Sequence, residues 1–169
     1  MKTQTYTHEP EFSMFLRFFG FMFGAMLLIV TVMYLIFEFG TPVLDYLRSV
    51  GFMFILYPVV SSIIGAYGAR KHTLTISEIN DPARVADWAV ELLEKNEMIV
   101  VVKQQSQTVL QPTGGFYKWY ARMFKTAPAT VSYNMQAVTI TGLSKHVDII
   151  DTKIKFGRVE FKEQPYKHS

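Results

Sequence analysis

The sequence contains no cysteine, which excludes disulfide bonds and thiolate metal sites and fits a domain in a reducing compartment. Histidine is scarce, and no two of the four histidines have the spacing of metal ligands. His146 falls beside the apolar stripe of a predicted helix and is expected to be solvated. A nucleophile also needs a base within hydrogen-bond reach, and no motif in the sequence offers that pair. The sequence therefore predicts a protein that is not an enzyme and that has no metal site and no cofactor.

Charged side chains are absent from two long apolar stretches, residues 18–37 and 50–69. Each stretch has twenty residues, and a helix of that length covers about 30 Å, the thickness of the hydrocarbon core of a bilayer. Pro58 is the only proline in either stretch, and membrane helices tolerate proline. The alternative is two buried helices of a soluble protein, but the rest of the chain is too short to cover two helices that are apolar on all sides. The two stretches predict a transmembrane hairpin over residues 18–69.

The flanks of the two stretches predict their orientation. The first stretch is not a cleavable signal peptide, because its apolar core is about twice the usual length and no small-x-small cleavage site follows it. Arg17 precedes the first stretch, and Arg70 and Lys71 follow the second, whereas the connecting turn, residues 38–49, has Arg48 alone beside two acids. Because basic flanks remain in the cytoplasm, we expect a multi-pass protein of the cell (inner) membrane with both termini cytoplasmic.

Charged groups line most ion and substrate paths through membranes, and two uncharged helices cannot enclose such a path alone. The hairpin is therefore predicted to be an anchor or a bundle subunit rather than a transporter. Small residues recur at intervals of four in both helices, a spacing that lets two backbones approach closely in lipid. We expect them to pack the two helices on each other, and packing on another subunit is the alternative. The residues concerned are Gly20, Gly24, Ser61, Gly65 and Ala69.

After Lys71 the composition changes to that of a soluble domain of about 100 residues, a common size for a single core. Asp81 followed by Pro82 predicts a helix start, because a capping side chain precedes the proline favoured at the first helical position. Runs of adjacent strands predict a mainly antiparallel α+β domain rather than a doubly wound sheet. This domain is predicted over residues 70–157, between a mobile N-terminal tail (1–17) and a C-terminal tail (158–169). Its predicted strands are residues 73–77, 98–102, 108–111, 129–135 and 137–141, and its helices begin near residues 82, 116 and 143. One short strand over residues 158–162 is predicted in the C-terminal tail.

Acidic residues are absent from residues 98–147, where five lysines and arginines occur. Within this region, residues 116–125 contain six large aromatic or thioether side chains, with cations at helical spacing on one side. Such a helix can lie in a membrane surface, its rings among the headgroups and its cations toward phosphates. For most of the rings the sequence favours the other interpretation, a helix that covers the sheet, with part of the segment touching lipid as the alternative. Nucleic acid is a weaker partner because no recognition motif accompanies the cations. The residues predicted to contact a membrane surface or an anion are Arg70, Lys71, Phe116, Lys118, Trp119, Arg122 and Lys125.

Three functions from different classes agree with these features. The first is a non-catalytic accessory or assembly subunit of a larger membrane complex, which accounts for the uncharged spans and the missing catalytic constellation. The second is a membrane-surface sensor or adaptor whose basic aromatic segment binds anionic lipid or a small anionic ligand. The third is an enzyme acting on a lipid headgroup. The sequence favours them in that order, with membrane lipid and other subunits, or a second copy of this chain, as expected partners.

Overall fold

The structure is a computed structural model that describes residues 1–126, 128–157 and 159. Within these residues the chain forms helices and a single antiparallel sheet, divided between two compact units. We call them the sheet unit (Met1–His8, Lys71–Arg122 and the described residues from Thr126 on) and the hairpin unit (Glu9–Arg70 with Met123–Lys125). The elements run in the order β1 (Lys2–Thr7), α1 (Phe12–Phe37), α2 (Val43–Gly68), β2 (Lys71–Ser77), α3 (Pro82–Lys95), β3 (Met98–Lys103), β4 (Gln107–Pro112), α4 (Gly115–Phe124), β5 (Ala129–Tyr133), β6 (Ala137–Leu143) and α5 (Ser144–Lys155).

The sheet unit has the α+β architecture predicted from the sequence. Its six strands lie in the order β1-β2-β6-β5-β4-β3, and every neighbouring pair is antiparallel. One face of the sheet is covered by α3 and α5, because alternate strand residues are apolar and point to that side. Helix α3 begins where the sequence predicts, with the Asp81 carboxylate accepting the Arg84 N–H at 3.1 Å. The core includes Leu74, Ile76, Leu93, Leu110, Val138, Ile140, Val147 and Ile150.

The N-terminal segment is not the mobile tail predicted from the sequence. Residues Lys2–Thr7 form an edge strand that pairs with β2 along its whole length, with Lys2 opposite Ser77 and Thr7 opposite His72. Its alternating threonines suit a strand, but the partner strand lies 65 residues further along the chain. His72, at the predicted membrane junction, is buried and lies 3.2 Å from the Thr7 hydroxyl through Nδ1. The sheet is therefore complete only when the segment before the hairpin pairs with the segment that follows the hairpin.

The helical hairpin is an insertion between these two paired strands. At the end of the β1–β2 ladder, the His8 N–H donates to the Lys71 carbonyl at 2.9 Å. The chain thus leaves the sheet after His8 and returns at Lys71, at neighbouring positions on the same end of the sheet. In topological terms, α1 and α2 occupy the loop of a β-hairpin.

Helices α1 and α2 have 26 residues each and are long and apolar enough to cross a membrane. Both begin earlier than the predicted spans over residues 18–37 and 50–69. The connecting turn is shorter than the predicted one over residues 38–49, because α2 already begins at Val43. Asp45 and Arg48 therefore lie in the helix, where they form an exposed ion pair at 3.5 Å. Pro58 lies inside α2 without ending it, and its carbonyl accepts the Ser62 hydroxyl.

The packing of α1 on α2 depends on aromatic side chains against small residues. The position that a Cβ would take on Gly65 lies 2.7 Å from Cδ1 of Phe18, so the ring of Phe18 occupies space that only glycine leaves open. Ser61 is half-buried and Ala69 is buried, as expected for packing positions. Gly20 and Gly24 differ from the expectation: they are exposed, and no described atom lies within 4 Å of the Cβ positions built on them. The small-residue spacing in α1 therefore does not pack the hairpin.

The remaining predicted elements agree with the structure to within a few residues. Predicted strands at residues 129–135 and 137–141 correspond to β5 and β6, and the predicted last helix to α5. The strand predicted at residues 158–162 lies outside the described residues, apart from Val159.

Candidate functional site

Helix α4 has its large rings on the outside of the protein. Phe116 is 67% exposed, Trp119 46% and Tyr117 43%. The interpretation favoured from the sequence, in which most of these rings cover the sheet, is wrong for these three side chains, and α3 and α5 cover the sheet instead. Lys118 and Arg122 stand one helical turn apart on α4 and are also exposed. The helix thus combines an outward aromatic surface with a pair of cations.

A cleft of about 360 Å³ lies between α4 and one end of the sheet. This is the end at which β3 begins and β4 stops, since Met98 pairs with Pro112. It is also the end at which β6 stops at Leu143, which pairs with Lys71. The lining residues are Met98, Gln111, Pro112, Lys118, Ala121, Arg122, Thr126, Pro128, Ala129, Leu143 and His146. They come from four strands (β3, β4, β5 and β6), from the helices α4 and α5, and from the segment that follows α4.

The charge of the cleft is positive. Lys118 and Arg122 are its two permanent cations, and none of the described lining residues is acidic. Within the described part of the chain, neither cation forms an ion pair. Two uncompensated cations beside polar and apolar walls attract a small anion and give it fixed partners.

His146 is a buried member of the cleft lining, with 5% of its surface exposed. Its Nδ1 has no hydrogen-bond partner among the described residues. Burial, with a smaller contribution from the neighbouring Lys145 ammonium, lowers the pKa of His146 from 6.5 to about 4. The imidazole is therefore neutral at physiological pH.

The prediction that His146 is solvated is wrong. The apolar stripe of α5 includes Val147 and Ile150, and His146 stands one helical turn before Ile150. That spacing was the signal in the sequence that could have identified it as buried. Lys145 turns the other way, and its ammonium lies 4.1 Å from the centroid of the Tyr117 ring, a cation–π contact that joins α5 to α4.

The last residues of α4, Met123 and Phe124, belong to the hairpin unit. The ring of Phe124 is stacked on the Phe18 ring with centroids 3.9 Å apart and meets Phe21 edge-on at 5.8 Å. The Arg17 guanidinium donates to the Phe124 carbonyl at 3.4 Å, which is a favourable place for a cation at a helix C-terminus. Lys125 follows with a positive φ of 48° and is exposed.

The other residues predicted to contact a membrane surface or an anion do not line the cleft. Arg70 belongs to the hairpin unit and lies 5.8 Å from the centroid of the Tyr67 ring. Lys71 is half-buried at the start of β2. The structure thus unites Lys118 and Arg122 with His146, Gln111 and Thr126, which the sequence analysis did not select.

The lowered pKa of His146 predicts a loss of stability on mild acidification. Below about pH 6.5 the unfolded chain takes up a proton on this residue, whereas the folded chain does so only near pH 4. The contribution of His146 is complete above pH 6.5 and is lost as the pH falls toward 4, by about 3 kcal/mol in the free energy of unfolding. Thermal unfolding of the full chain in a neutral detergent from pH 7 to pH 4.5 measures it. His146→Leu should flatten the profile, and an unchanged profile would contradict the assignment.

No group of three or more potential metal ligands occurs among the residues that the structure describes. Comparison of the chain with protein-family models, with curated proteins and with solved structures gives no match.

Proposed function

We propose that the protein is a membrane-anchored, non-catalytic sensor or adaptor that uses α4 to bind the anionic surface of the membrane in which α1 and α2 are inserted. The observation that carries the proposal is the outward position of Phe116, Tyr117 and Trp119, next to the cations of Lys118 and Arg122. Rings of this kind are stable among lipid headgroups. Each cation near an anionic surface adds about 1 kcal/mol.

Phe124, the last residue of α4, belongs to the hairpin unit together with Arg17 and Phe18. Phe124 stacks on Phe18 and accepts a hydrogen bond from Arg17. Arg17 is the last cation before the uncharged stretch of α1, so this part of α1 is where a membrane span would leave the hydrocarbon.

The distribution of cations supports a cytoplasmic location for the sheet unit and for the N-terminus. Arg17, Arg70 and Lys71 flank the hairpin at its two outer ends, and the connecting turn has Arg48 alone. Since β1 pairs with β2, both outer ends belong to the same side. We place the protein in the cell (inner) membrane with α4 on the anionic cytoplasmic leaflet.

Fluorescence quenching by brominated lipids tests the proposal, because the chain has two tryptophans in different surroundings. Trp119 is 46% exposed on α4, whereas Trp88 is 9% exposed in the core of the sheet unit. In a Trp88→Phe variant reconstituted into liposomes, we expect Trp119 to be quenched most strongly by bromines close to the headgroups. In the matched Trp119→Phe variant, Trp88 should not respond to any brominated lipid.

The emission spectrum distinguishes the outcomes. An emission typical of water-exposed indole, with no quenching by brominated lipid, would contradict a membrane position for α4. An apolar emission without quenching would show that protein covers the helix, which favours the second candidate function.

That second candidate is an accessory subunit of a larger membrane complex. The observation in its favour is the exposure of Gly20 and Gly24 in α1, which the hairpin does not use. Small residues at this spacing allow another membrane helix to approach closely.

A further inference from the structure

We propose that the cleft between α4 and the sheet binds an organic phosphate, with the phosphate group on Lys118 and Arg122 and a hydroxyl-bearing remainder against Gln111, Thr126 and His146. The inference deepens the proposed function and rests on it in one respect, since the same helix supplies the membrane contact and both cations of the cleft. It adds a defined site and a ligand class to a surface interaction.

The charges of the cleft favour a doubly negative group. Lys118 and Arg122 stand one turn apart on α4, and no acidic residue is among the described residues of the lining. Neither cation has an ion-pair partner in the described part of the chain. Arginine presents a planar fork of N–H donors that matches phosphate oxygens, and lysine adds a compact charge. A neutral ligand would leave both cations uncompensated.

The unpartnered nitrogen of His146 favours a ligand that carries a hydroxyl group. Its Nδ1 is buried without a partner among the described residues. A neutral imidazole has one donor nitrogen and one acceptor nitrogen, so either tautomer lets Nδ1 share a hydrogen bond with a ligand hydroxyl, which both donates and accepts. His146 is therefore a neutral hydrogen-bonding group in the wall of a cationic cleft.

The size and the walls of the cleft favour more than inorganic phosphate. Its volume of about 360 Å³ falls in the range of small-molecule sites, which are typically about 300 to 1,000 Å³. Gln111 and Thr126 add neutral hydrogen-bonding groups. The apolar part of the wall comes from Met98, Pro112, Ala121, Pro128, Ala129 and Leu143. A phosphate ester of a small polyol can form hydrogen bonds with the polar part of the wall and can place its carbon atoms against the apolar part.

Two sources of such a group are open, a phospholipid headgroup and a soluble phosphate ester. The cleft lies at the end of the sheet at which β1 ends and β2 begins, since Leu143 pairs with Lys71 and Thr7 with His72. A headgroup and a soluble ester share the same recognition chemistry, so the experiment has to separate them.

Isothermal titration of the full chain in phosphatidylcholine nanodiscs with sn-glycerol 3-phosphate tests the proposal. We expect saturable binding that Lys118→Gln and Arg122→Gln each weaken about tenfold or more, the loss of a charge-assisted hydrogen bond. Gln111→Leu should weaken the binding of sn-glycerol 3-phosphate but leave the binding of inorganic phosphate unchanged. The matched control is Lys103→Gln, which removes an exposed lysine paired with Asp87 at 3.7 Å outside the cleft.

Nanodiscs that contain phosphatidic acid, a lipid whose headgroup is a phosphate monoester, separate the two sources. If they weaken the titration of sn-glycerol 3-phosphate by competition, the ligand is a lipid headgroup, and if they leave it unchanged, the ligand is a soluble ester. Both results require binding in the cleft. Absence of saturable binding in the unmodified protein, or full binding by the Lys118→Gln, Arg122→Gln double variant, would overturn the proposal.

Trp119 quenching in the same nanodiscs keeps this proposal separate from the proposed function. Quenching without ligand binding would overturn the proposed ligand site and leave the proposed membrane contact of α4 standing. Ligand binding without quenching would overturn the proposed membrane contact and leave the proposed ligand site standing.

Discussion

Replacing residues 9–70 by Asn-Gly is expected to convert the protein into a folded, water-soluble domain. The replacement is possible because the hairpin occupies the loop between β1 and β2, where the His8 N–H already donates to the Lys71 carbonyl at 2.9 Å. A two-residue Asn-Gly loop forms the type I′ turn that joins such a pair of strands. Phe124→Ser should be included, because the ring loses its partner Phe18 when α1 is removed.

The matched comparison is a chain with the same Phe124→Ser change that begins at Lys71. It has every described element of the sheet unit except β1, so β2 becomes an edge strand with unpaired N–H and C=O groups. We expect this chain to associate, or to lose at least about 2 kcal/mol in the free energy of unfolding, the equivalent of a few net backbone hydrogen bonds.

Ultracentrifugation without detergent, size-exclusion chromatography and urea unfolding monitored by circular dichroism measure the difference between the two chains. Equal stability and solubility of both chains would show that β1 does not complete the sheet. Aggregation of both would show that the sheet unit needs the hairpin for more than the connection.

The second large effect is expected at Gly65. In most helices Gly→Ala stabilises by up to about 1 kcal/mol. Here the new Cβ would lie 2.7 Å from Cδ1 and 2.9 Å from Cε1 of Phe18. The ring cannot move aside easily, because Phe18 is 4% exposed and is stacked on Phe124. Gly65→Ala should therefore destabilise the hairpin by about 1 to 3 kcal/mol, the usual effect of overpacking, and Gly65→Leu should destabilise it further.

Gly51→Ala is the matched control in the same helix. No described atom lies within 4 Å of the Cβ position on Gly51, so this change should be neutral or stabilising. Thermal unfolding of the full chain in one detergent compares the two, and the expectation is an opposite sign. Phe18→Ala combined with Gly65→Ala should recover part of the loss, since the clash is removed. Two glycines that respond alike would contradict the packing described for Phe18.

The sequence was sufficient to predict elements that depend on local pattern. Two charge-free stretches predict the long helices of the hairpin, and the Asp81-Pro82 pair predicts the start of α3. Alternation of apolar and polar residues predicts β5 and β6, because in a strand with one buried face the apolar residues point to the core and the polar residues point to solvent.

The elements that the sequence did not predict depend on distant partners. β1 is polar and short, and its edge position buries little of its surface, so only its pairing with β2 identifies it as a strand. The additional turns of α1 and α2 lie outside the uncharged stretches, where hydrophobicity alone no longer indicates a helix.

The candidate site divides in the same way. Lys118 and Arg122 follow from helical spacing alone. The cleft that they line does not, because Met98, Gln111 and His146 meet only through antiparallel register and through the crossing of α4 over the end of the sheet. The sequence also did not determine the position of the rings on α4, because an amphipathic pattern does not show which side of a helix packs against the rest of the protein.

The pairing of β1 with β2 also constrains the order of events during biosynthesis. β1 is made first, and its nearest paired residue lies 65 positions later, so the strand has to wait until both helices of the hairpin have been synthesised. Contacts of such long sequence separation form late. If α1 crossed a membrane and α2 did not, β1 and β2 would emerge in different compartments, and the sheet could not close. Completion of the sheet is thus a built-in check that the chain has returned to the side on which it began.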